Sequence, residues 1–413
     1  MKYGLIAERL GHSFSKEIHA ALGDYQYELR EIEKSSLGDF MRARDFLGIN
    51  VTIPYKEAVI PFLDEIDDSA RAIGAVNTVV VREGRLFGYN TDFYGMSELI
   101  HHAGISLSKK KVIILGTGGT SKTAFAVSSA LGAKEILRVS RRQTDGAITY
   151  SELYQLHTDA DVIINTTPCG MFPDNFSSPV ELSRFNSLSG VIDAVYNPLR
   201  TRLVSDALAL GIAAEGGLYM LVAQAVRASE IFLGCSYAKE KCDSVFSDIL
   251  KSKENIVLIG MPSSGKTTVG KILSDRLSRP FVDTDELIVK AVGMPITEIF
   301  KKYGEDYFRE CEAKAVAEAS RTGGCIIATG GGAVLRGENI LTLKQNGRLV
   351  FLDRPLSLLI PTSDRPLSSD RASVEKRYTE RYPIYMSVKD IHIDAKDDAG
   401  AVAENIIRRF FER

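Results

Sequence analysis

The sequence contains no run of about 18 apolar residues, so no segment is predicted to span a membrane. The apolar stretch near Met1 is too short for a signal peptide. Charge of one sign is also lacking, because 51 Lys and Arg residues face 53 Asp and Glu residues for a net charge of −2. A nearly neutral chain without a basic segment is not expected to bind nucleic acid.

Cysteine is scarce and scattered along the chain. The count of five is odd, and the closest pair is Cys235 and Cys242. No pair has the spacing of a redox motif or a zinc site. Free thiols in a reducing cytoplasm are therefore predicted.

The rest of the composition is that of an ordinary globular protein, with 45% hydrophobic and 25% charged residues. The 413 residues are enough for two or three domains. Short β-branched runs alternate with longer amphipathic stretches, which is typical of α/β folds with parallel strands. Two glycine-rich turns, 116–119 and 260–265, indicate two nucleotide-binding modules, and we place the major boundary at the polar stretch 251–254.

The first glycine turn follows the buried-strand pattern Lys111–Leu115 and precedes a predicted helix. Backbone N–H groups at such a turn bind a pyrophosphate, although an ordinary tight turn is the alternative. Ser121 replaces the third glycine of the dinucleotide fingerprint and is small enough for close helix–strand packing. The candidate cofactor contacts in this turn are Gly116, Gly118, Gly119 and Thr120.

The end of the next strand distinguishes NADP from NAD. An NAD enzyme carries an acidic residue there, whereas this chain carries Ser140, Arg141 and Arg142. Two guanidinium groups and a hydroxyl match a 2′-phosphate, so NADP is predicted. A solvated basic loop is the alternative.

The second glycine turn, Gly260–Thr267, satisfies the pattern GxxxxGK[ST] between a strand and a helix. Its N–H groups cradle phosphates, Lys266 reaches the β/γ oxygens, and the Thr267 hydroxyl coordinates Mg²⁺. ATP and Mg²⁺ are therefore predicted ligands. The candidate ATP contacts here are Ser263, Ser264, Gly265, Lys266, Thr267 and Thr268.

Residues 1–248 resemble shikimate dehydrogenases in six ordered segments. These are Gly11–Ser15, Asn50–Lys56, Gly74–Thr78, Asn90–Asp92, Asp193–Leu199 and Leu221–Gln224. The resemblance implies reduction of 3-dehydroshikimate to shikimate by NADPH, without a metal. The hydroxyls of Ser13 and Ser15 would donate to the substrate carboxylate.

The same resemblance implies that Lys56 delivers a proton to the developing alkoxide and that Asp92 orients it. The alternatives are that Lys56 is a surface lysine and that Asp92 only N-caps a helix. The implied contacts to the ring hydroxyls are Thr52, Asn77, Asp92 and Gln224. Tyr196 would lie beside the substrate, and Gly217 and Asp68 would border the cofactor.

Residues 255–413 resemble shikimate kinases. The matching segments are Asp283–Asp285, Gly304–Glu312, Ala328–Gly332, Arg365–Leu367 and Arg381–Tyr385. The resemblance implies that Asp283 lies near Mg²⁺ through water, and that Asp285 accepts or orients the proton of the substrate hydroxyl. Arg365 would close on a lid to neutralise charge on the transferring phosphoryl group.

The kinase resemblance also implies a carboxylate clamp formed by Arg309 and Arg381, with Glu312 holding Arg309. Gly331, in the middle of a glycine triplet, would let the substrate ring approach the backbone. Charges on solvated helix faces are the alternative for Arg309, Arg381, Glu310 and Glu312.

These observations predict an α/β substrate domain (1–103), a Rossmann-like NADP domain (104–250) and a P-loop domain like that of nucleoside monophosphate kinases (255–413). We expect a cytoplasmic bifunctional enzyme that makes shikimate and then phosphorylates it. One alternative is a quinate-type dehydrogenase fused to another small-molecule kinase. A metabolite-sensing regulator is less consistent with a chain that retains Lys56, Asp92, Lys266 and Asp285.

Overall fold

The computed structural model describes residues 1–10, 13–360 and 370–412. They divide into two compact units, Met1–Ile249 and Leu250–Arg413. Within the described ranges, no helix combines the length and apolarity needed to cross a membrane.

The first unit alternates strands and helices along most of its length. Its strands are β1 (Tyr3–Ala7), β2 (Tyr27–Glu31), β3 (Gly48–Val51), β4 (Glu65–Ile66), β5 (Thr78–Arg82), β6 (Arg85–Tyr89), β7 (Lys111–Leu115), β8 (Glu135–Ser140), β9 (Ile148–Thr149), β10 (Val162–Asn165), β11 (Gly190–Asp193) and β12 (Ala213–Glu215). Its helices are α1 (Ser15–Leu22), α2 (Leu37–Ala43), α3 (Tyr55–Ala58), α4 (Asp68–Ile73), α5 (Thr91–His102), α6 (Gly119–Ala130), α7 (Tyr150–Leu156), α8 (Arg202–Ala209), α9 (Leu218–Leu233) and α10 (Glu240–Lys253).

The second unit has the same alternation. Its strands are β13 (Asn255–Ile259), β14 (Phe281–Asp283), β15 (Ile326–Ala328), β16 (Gly347–Asp353) and β17 (Ile391–Asp394). Its helices are α11 (Lys266–Leu277), α12 (Thr284–Val292), α13 (Ile296–Ser320, with a non-helical Gly304), α14 (Gly337–Asn346), α15 (Arg371–Val388) and α16 (Ala399–Phe411).

The N-terminal sheet of the first unit is mixed, with the order β2-β1-β3-β5-β6-β4. β1, β2 and β3 are parallel, whereas β5 and β6 form an antiparallel hairpin. Glu83 and Gly84 have φ of 52° and 74°, the backbone that a two-residue hairpin turn requires. The carboxyl end of β3 leads directly to α3, which carries Lys56.

The second sheet of this unit is wholly parallel, with the order β12-β11-β10-β7-β8-β9. The chain reverses its direction of winding between β7 and β10, and ligands of such sheets bind at the carboxyl ends of the strands at that point. The first glycine turn follows β7, and the loop beginning at Thr166 follows β10. The topology therefore brings both segments to one crevice.

The third sheet is also parallel, with the order β14-β15-β13-β16-β17. Side chains alternate across the central strand β13, so that Val257 and Ile259 join one core cluster while Ile256 and Leu258 join another. The strand is thus buried on both faces, and its carboxyl end presents the second glycine turn to a ligand.

Three residues of the polar stretch placed at the boundary, Lys251, Ser252 and Lys253, form the last turn of α10, and the division between the two units falls within this helix, after Ile249. The carbonyl of Lys253 accepts a hydrogen bond from Gly324 N at 2.7 Å. Lys253 and Gly324 both belong to the second unit, so this carbonyl is satisfied within that unit.

Candidate active sites

The first unit contains a cavity of about 270 Å³ into which segments distant in the sequence converge. Every residue that the dehydrogenase resemblance assigned to substrate or proton transfer lines it. These residues are Ser13, Ser15, Thr52, Lys56, Asn77, Asp92, Tyr196 and Gln224. Gly11 and His12, of the first matching segment, lie outside the described residues.

Lys56 and Asp92 form an ion pair in this cavity, with Nζ 2.5 Å from Oδ2. Their side chains are 23% and 7% exposed, so Lys56 is not a surface lysine. Asp92 does not cap its helix either, because the Asn90 side chain accepts from the N–H groups of Asp92 and Phe93. The carboxylate is instead directed to the ammonium group.

Asn77 connects three elements that surround the cavity. Its Oδ1 accepts from Thr91 N at 2.8 Å, which fixes the start of α5 one residue before Asp92. Its Nδ2 donates to Gln224 Oε1 at 3.4 Å, on α9. Asn77 therefore holds two other cavity side chains in place.

Three polar residues of the cavity lining received no role from the sequence: Arg9, His19 and Asn50. The His19 ring stacks on Tyr27 at 3.8 Å, and burial lowers its pKa to about 3, so it is neutral. Tyr27 Oη donates to Asn50 Oδ1 at 2.7 Å. Asn50 is the first residue of the matching segment Asn50–Lys56, so the sequence could have indicated it. The position of His19 depends on packing against β2 and has no such signal.

A second cavity of about 1180 Å³ follows the carboxyl ends of β7, β8 and β10. Its lining includes Gly116, Gly118, Ser140, Arg141 and Arg142. This is the groove in which the sequence places the cofactor.

The glycine turn has the geometry of a phosphate cradle. Gly116 has φ +110°, and a Cβ there would lie 2.8 Å from Thr166 Oγ1. A Cβ on Gly118 or Gly119 would meet nothing within 4 Å, so this backbone is open to a ligand. Ser121 is buried, and its hydroxyl donates to the Gly116 carbonyl at 2.7 Å.

Four predicted cofactor residues lie outside the lining of this groove. Gly119 and Thr120 form the first turn of α6, immediately beyond Gly118. Asp68 is exposed at the start of α4. Gly217 is required by packing, because a Cβ there would lie 2.2 Å from the Ala194 carbonyl oxygen.

A buried carboxylate joins the two loops that face the cavities. Asp193, at the end of β11, accepts hydrogen bonds from Asn165 Nδ2 at 2.9 Å, Val195 N at 3.0 Å and Thr201 Oγ1 at 2.6 Å. Burial raises its pKa to about 6, although these three donors oppose the shift. The loop after Asn165 lines the cofactor groove, and the loop after Asp193 carries Tyr196.

In the second unit, the P-loop residues Ser263, Ser264 and Gly265 connect β13 to α11, whose second and third residues are Thr267 and Thr268. Lys266 Nζ donates to the carbonyls of Gly260 at 2.9 Å and Met261 at 2.8 Å. The ammonium group therefore lies within the loop that would hold the phosphates.

Thr267 Oγ1 donates to Asp283 Oδ2 at 2.9 Å, and the other Asp283 oxygen accepts from Asp285 N at 3.0 Å. A hydroxyl and a carboxylate beside a phosphate loop are oxygen ligands that suit Mg²⁺, which retains water and phosphate ligands. No cluster of three His, Cys, Asp or Glu side chains suited to a metal occurs in the described part of the chain.

A second group of charges lies against the glycine triplet after β15. Arg309 Nη1 donates to Glu312 Oε2 at 2.8 Å, and the Glu312 side chain is 1% exposed. Burial raises the pKa of Glu312, while Arg309 opposes the shift. A Cβ on Gly330 would lie 2.7 Å from Asp285 Oδ1, and one on Gly332 would lie 2.2 Å from Arg309 Nη1.

Arg381 completes this group from α15. It is 7% exposed, and its Nη1 donates to the Gly331 carbonyl at 3.1 Å. The solvated-face alternative is therefore wrong for Arg381 and for Glu312, whereas Glu310 does face solvent and pairs with Arg336. Arg365 lies outside the described residues.

Family models match both units. The model described as the shikimate dehydrogenase substrate binding domain matches residues 5–79, and the model described as shikimate kinase matches residues 262–411. The NADP(+) shikimate dehydrogenase of Clostridium beijerinckii is 37% identical over 262 residues, covering 59% of this chain and 96% of that protein.

Solved structures agree with the sequence comparison. Shikimate dehydrogenase 1 from Peptoclostridium difficile is 34% identical, with a TM-score of 0.55, and the match covers 60% of this chain and 98% of that one. The shikimate 5-dehydrogenase of Thermus thermophilus, in complex with NADP(H) and shikimate, is 28% identical, with a TM-score of 0.55 and coverage of 60% and 99%.

Proposed function

The chain belongs to the shikimate dehydrogenase family through its first unit and carries a shikimate kinase domain in its second, and from that premise we propose that it catalyses two consecutive reactions. The first reduces 3-dehydroshikimate to shikimate with NADPH and a proton. The second transfers the γ-phosphoryl group of ATP to shikimate, giving shikimate 3-phosphate and ADP. The product of the first reaction is the substrate of the second.

The observation that carries the dehydrogenase proposal is the Lys56–Asp92 ion pair inside a polar cavity. NADPH, held by the glycine turn and by Ser140, Arg141 and Arg142, supplies the hydride when bound. Lys56 then gives a proton to the oxygen that was the ketone, and Asp92 orients the ammonium group and accepts from a neighbouring hydroxyl. The remaining cavity side chains bind the ring.

The kinase proposal follows the same division between nucleotide and substrate. Lys266 and the P-loop would hold the ATP phosphates, and Thr267 with Asp283 would hold Mg²⁺, which neutralises phosphate charge when bound. Asp285 would accept or orient the proton of the attacking hydroxyl. Arg309 and Arg381 would hold the substrate carboxylate beside Gly331.

A coupled assay tests both reactions on the purified full chain. With 3-dehydroshikimate, NADPH and MgATP, NADPH should be consumed and shikimate 3-phosphate should accumulate. NADPH consumption that stops at shikimate would contradict the kinase proposal. Turnover of quinate at a rate equal to that of shikimate would favour the quinate-type alternative.

We also propose the domain boundaries 1–103, 104–250 and 255–413, and a cytoplasmic location. The location is supported by the cysteines, because all five are free thiols. Non-reducing and reducing electrophoresis of protein from cell extracts should give the same mobility.

A further inference from the structure

The dehydrogenase cavity holds a positive charge that the proposed reaction does not use. Among its described lining residues, the charged ones are Arg9, Lys56 and Asp92. Lys56 and Asp92 neutralise each other as an ion pair. His19 also lines the cavity but is neutral, because burial lowers its pKa to about 3. Arg9 therefore gives the cavity wall a net positive charge.

Arg9 belongs to the segment that supplies the two serine hydroxyls. It lies just beyond the end of β1, on the stretch that leads to Ser13 and to Ser15 at the start of α1. The hydroxyls are neighbours, since Ser13 Oγ donates to Ser15 Oγ at 3.1 Å. One short segment thus brings a guanidinium and two hydroxyls to the same cavity.

No described carboxylate is paired with Arg9. The acidic side chain that approaches this segment is Glu31, and its Oε1 accepts a hydrogen bond from Leu10 N at 2.7 Å. Arg9 is an exposed residue and is one of the residues that line the cavity. The charge is therefore available to an anionic ligand entering from solvent.

We propose that Arg9 makes the cavity selective for a substrate that carries a carboxylate, by pairing its guanidinium with that group beside Ser13 and Ser15. A guanidinium presents parallel N–H donors to the two oxygens of a carboxylate, which a hydroxyl cannot do. A neutral polyol of the same shape would leave this charge unpaired. The inference rests on the proposed dehydrogenase function and names the group that selects its substrate class.

The experiment compares shikimate with its methyl ester, which keeps the ring hydroxyls and removes the charge. The full chain is incubated with NADP⁺ and either compound, and the initial rate of NADPH formation is measured. Arg9→Met should lower kcat/KM for shikimate about tenfold, mainly through KM, because a charged hydrogen bond at a partly exposed site is lost. In Arg9→Met, kcat/KM for the ester should change by less than about twofold. Arg9→Lys should lower kcat/KM for shikimate less than Arg9→Met does.

Arg85→Met is the matched control, because Arg85 is an exposed arginine of the same unit that pairs with Glu65. This variant should leave kcat/KM for shikimate and for the ester unchanged. An equal loss for acid and ester in Arg9→Met, or no loss for the acid, would overturn the inference. A wild-type chain that oxidises neither compound would instead contradict the proposed function.

The wild-type chain provides a second measurement that does not depend on the variant folding. Raising ionic strength from about 20 to about 500 mM screens an exposed ion pair. The KM for shikimate should rise over this range while the KM for the ester stays constant. A KM for shikimate that does not rise would contradict the role of Arg9.

Discussion

Each unit contains an ion pair beside its substrate site, and in both pairs the carboxylate is the more buried partner. Asp92 is 7% exposed against 23% for Lys56, and Glu312 is 1% exposed against 19% for Arg309. The buried carboxylate therefore positions the cation, and the cation is the partner more accessible to a ligand. The cations differ, because a lysine can give up its proton whereas an arginine remains charged.

Because of this difference, the two ion pairs can have different chemical roles although their geometry is similar. We propose that the pair in the first unit moves a proton and that the pair in the second unit binds an anion. The nucleotide turns, by contrast, are alike, because each follows a central parallel strand and opens a helix. The comparison is tested first by removing a nucleotide contact and then by exchanging the cations.

Lys266→Ala should reduce phosphorylation of shikimate by roughly 10³-fold or more, because the loop loses the ammonium group directed at the ATP phosphates. Reduction of 3-dehydroshikimate should stay at the wild-type rate, since Lys266 belongs to the second unit and its ammonium group donates to the P-loop carbonyls of Gly260 and Met261. Both activities are measured on the same preparation. Loss of both in folded protein would show that the sites are not independent.

Lys56→Ala and Lys56→Arg should each lower the reduction by about 10²- to 10⁴-fold, the usual contribution of a general acid. The arginine variant retains the charge but cannot deliver the proton, so it should be as poor as the alanine variant. Phosphorylation of added shikimate is the internal control. A Lys56→Arg variant close to wild type would mean that the pair acts through its charge alone.

Some residues of these sites can be predicted from the sequence alone and others cannot, for physical reasons. The P-loop and the Ser140–Arg142 strand end are contiguous, so spacing alone reveals them. At Asn90-Thr91-Asp92, however, both acidic and amide side chains can cap a helix, and only the packing of Asn90 frees Asp92 for Lys56. Arg9 and His19 have no local signal, because their place in the cavity depends on strands paired at long range.

The sequence also does not reveal that residues 251–253, at the predicted boundary, are helical. Lysine and serine are acceptable in a helix, so a short polar run does not by itself end one. The order of the parallel strands is likewise absent from any single segment, yet it decides that the loops after β7 and β10 meet at the cofactor groove.

Asp193 should make the first unit less stable as pH rises from about 4 to about 6. Its pKa in the folded chain is about 6, above the ordinary value of 3.8, so the folded state holds a proton that the unfolded state releases. The contribution of Asp193 to stability is highest below pH 3.8, the pKa of an ordinary aspartate, and declines by about 3 kcal/mol as the pH rises to about 6. Asp193→Asn should remove that decline.

The measurement is urea unfolding followed by circular dichroism across this pH range, with hydrogen exchange of β10 and β11 peptides to identify the transition. Asp145→Asn, which changes an exposed aspartate of the same unit, is the control and should keep the wild-type profile. An unchanged profile in Asp193→Asn would show that Asp193 ionises normally in the folded chain.

Arg309→Lys gives the smallest expected effect, and it tests most directly whether the Arg309–Glu312 pair differs in role from the Lys56–Asp92 pair. The lysine keeps the positive charge beside Glu312, but it loses the guanidinium fork that pairs with Glu312 and Glu305 and that we propose also holds the substrate carboxylate. If Arg309 only binds an anion, the KM for shikimate in the kinase reaction should rise about tenfold, with kcat within about threefold of wild type. Arg336→Lys is the control, because Arg336 is a partly exposed arginine paired with Glu310, and it should change neither constant. A fall in kcat as large as that caused by Lys56→Arg would place Arg309 in the chemical step, and the two ion pairs would then do the same kind of work.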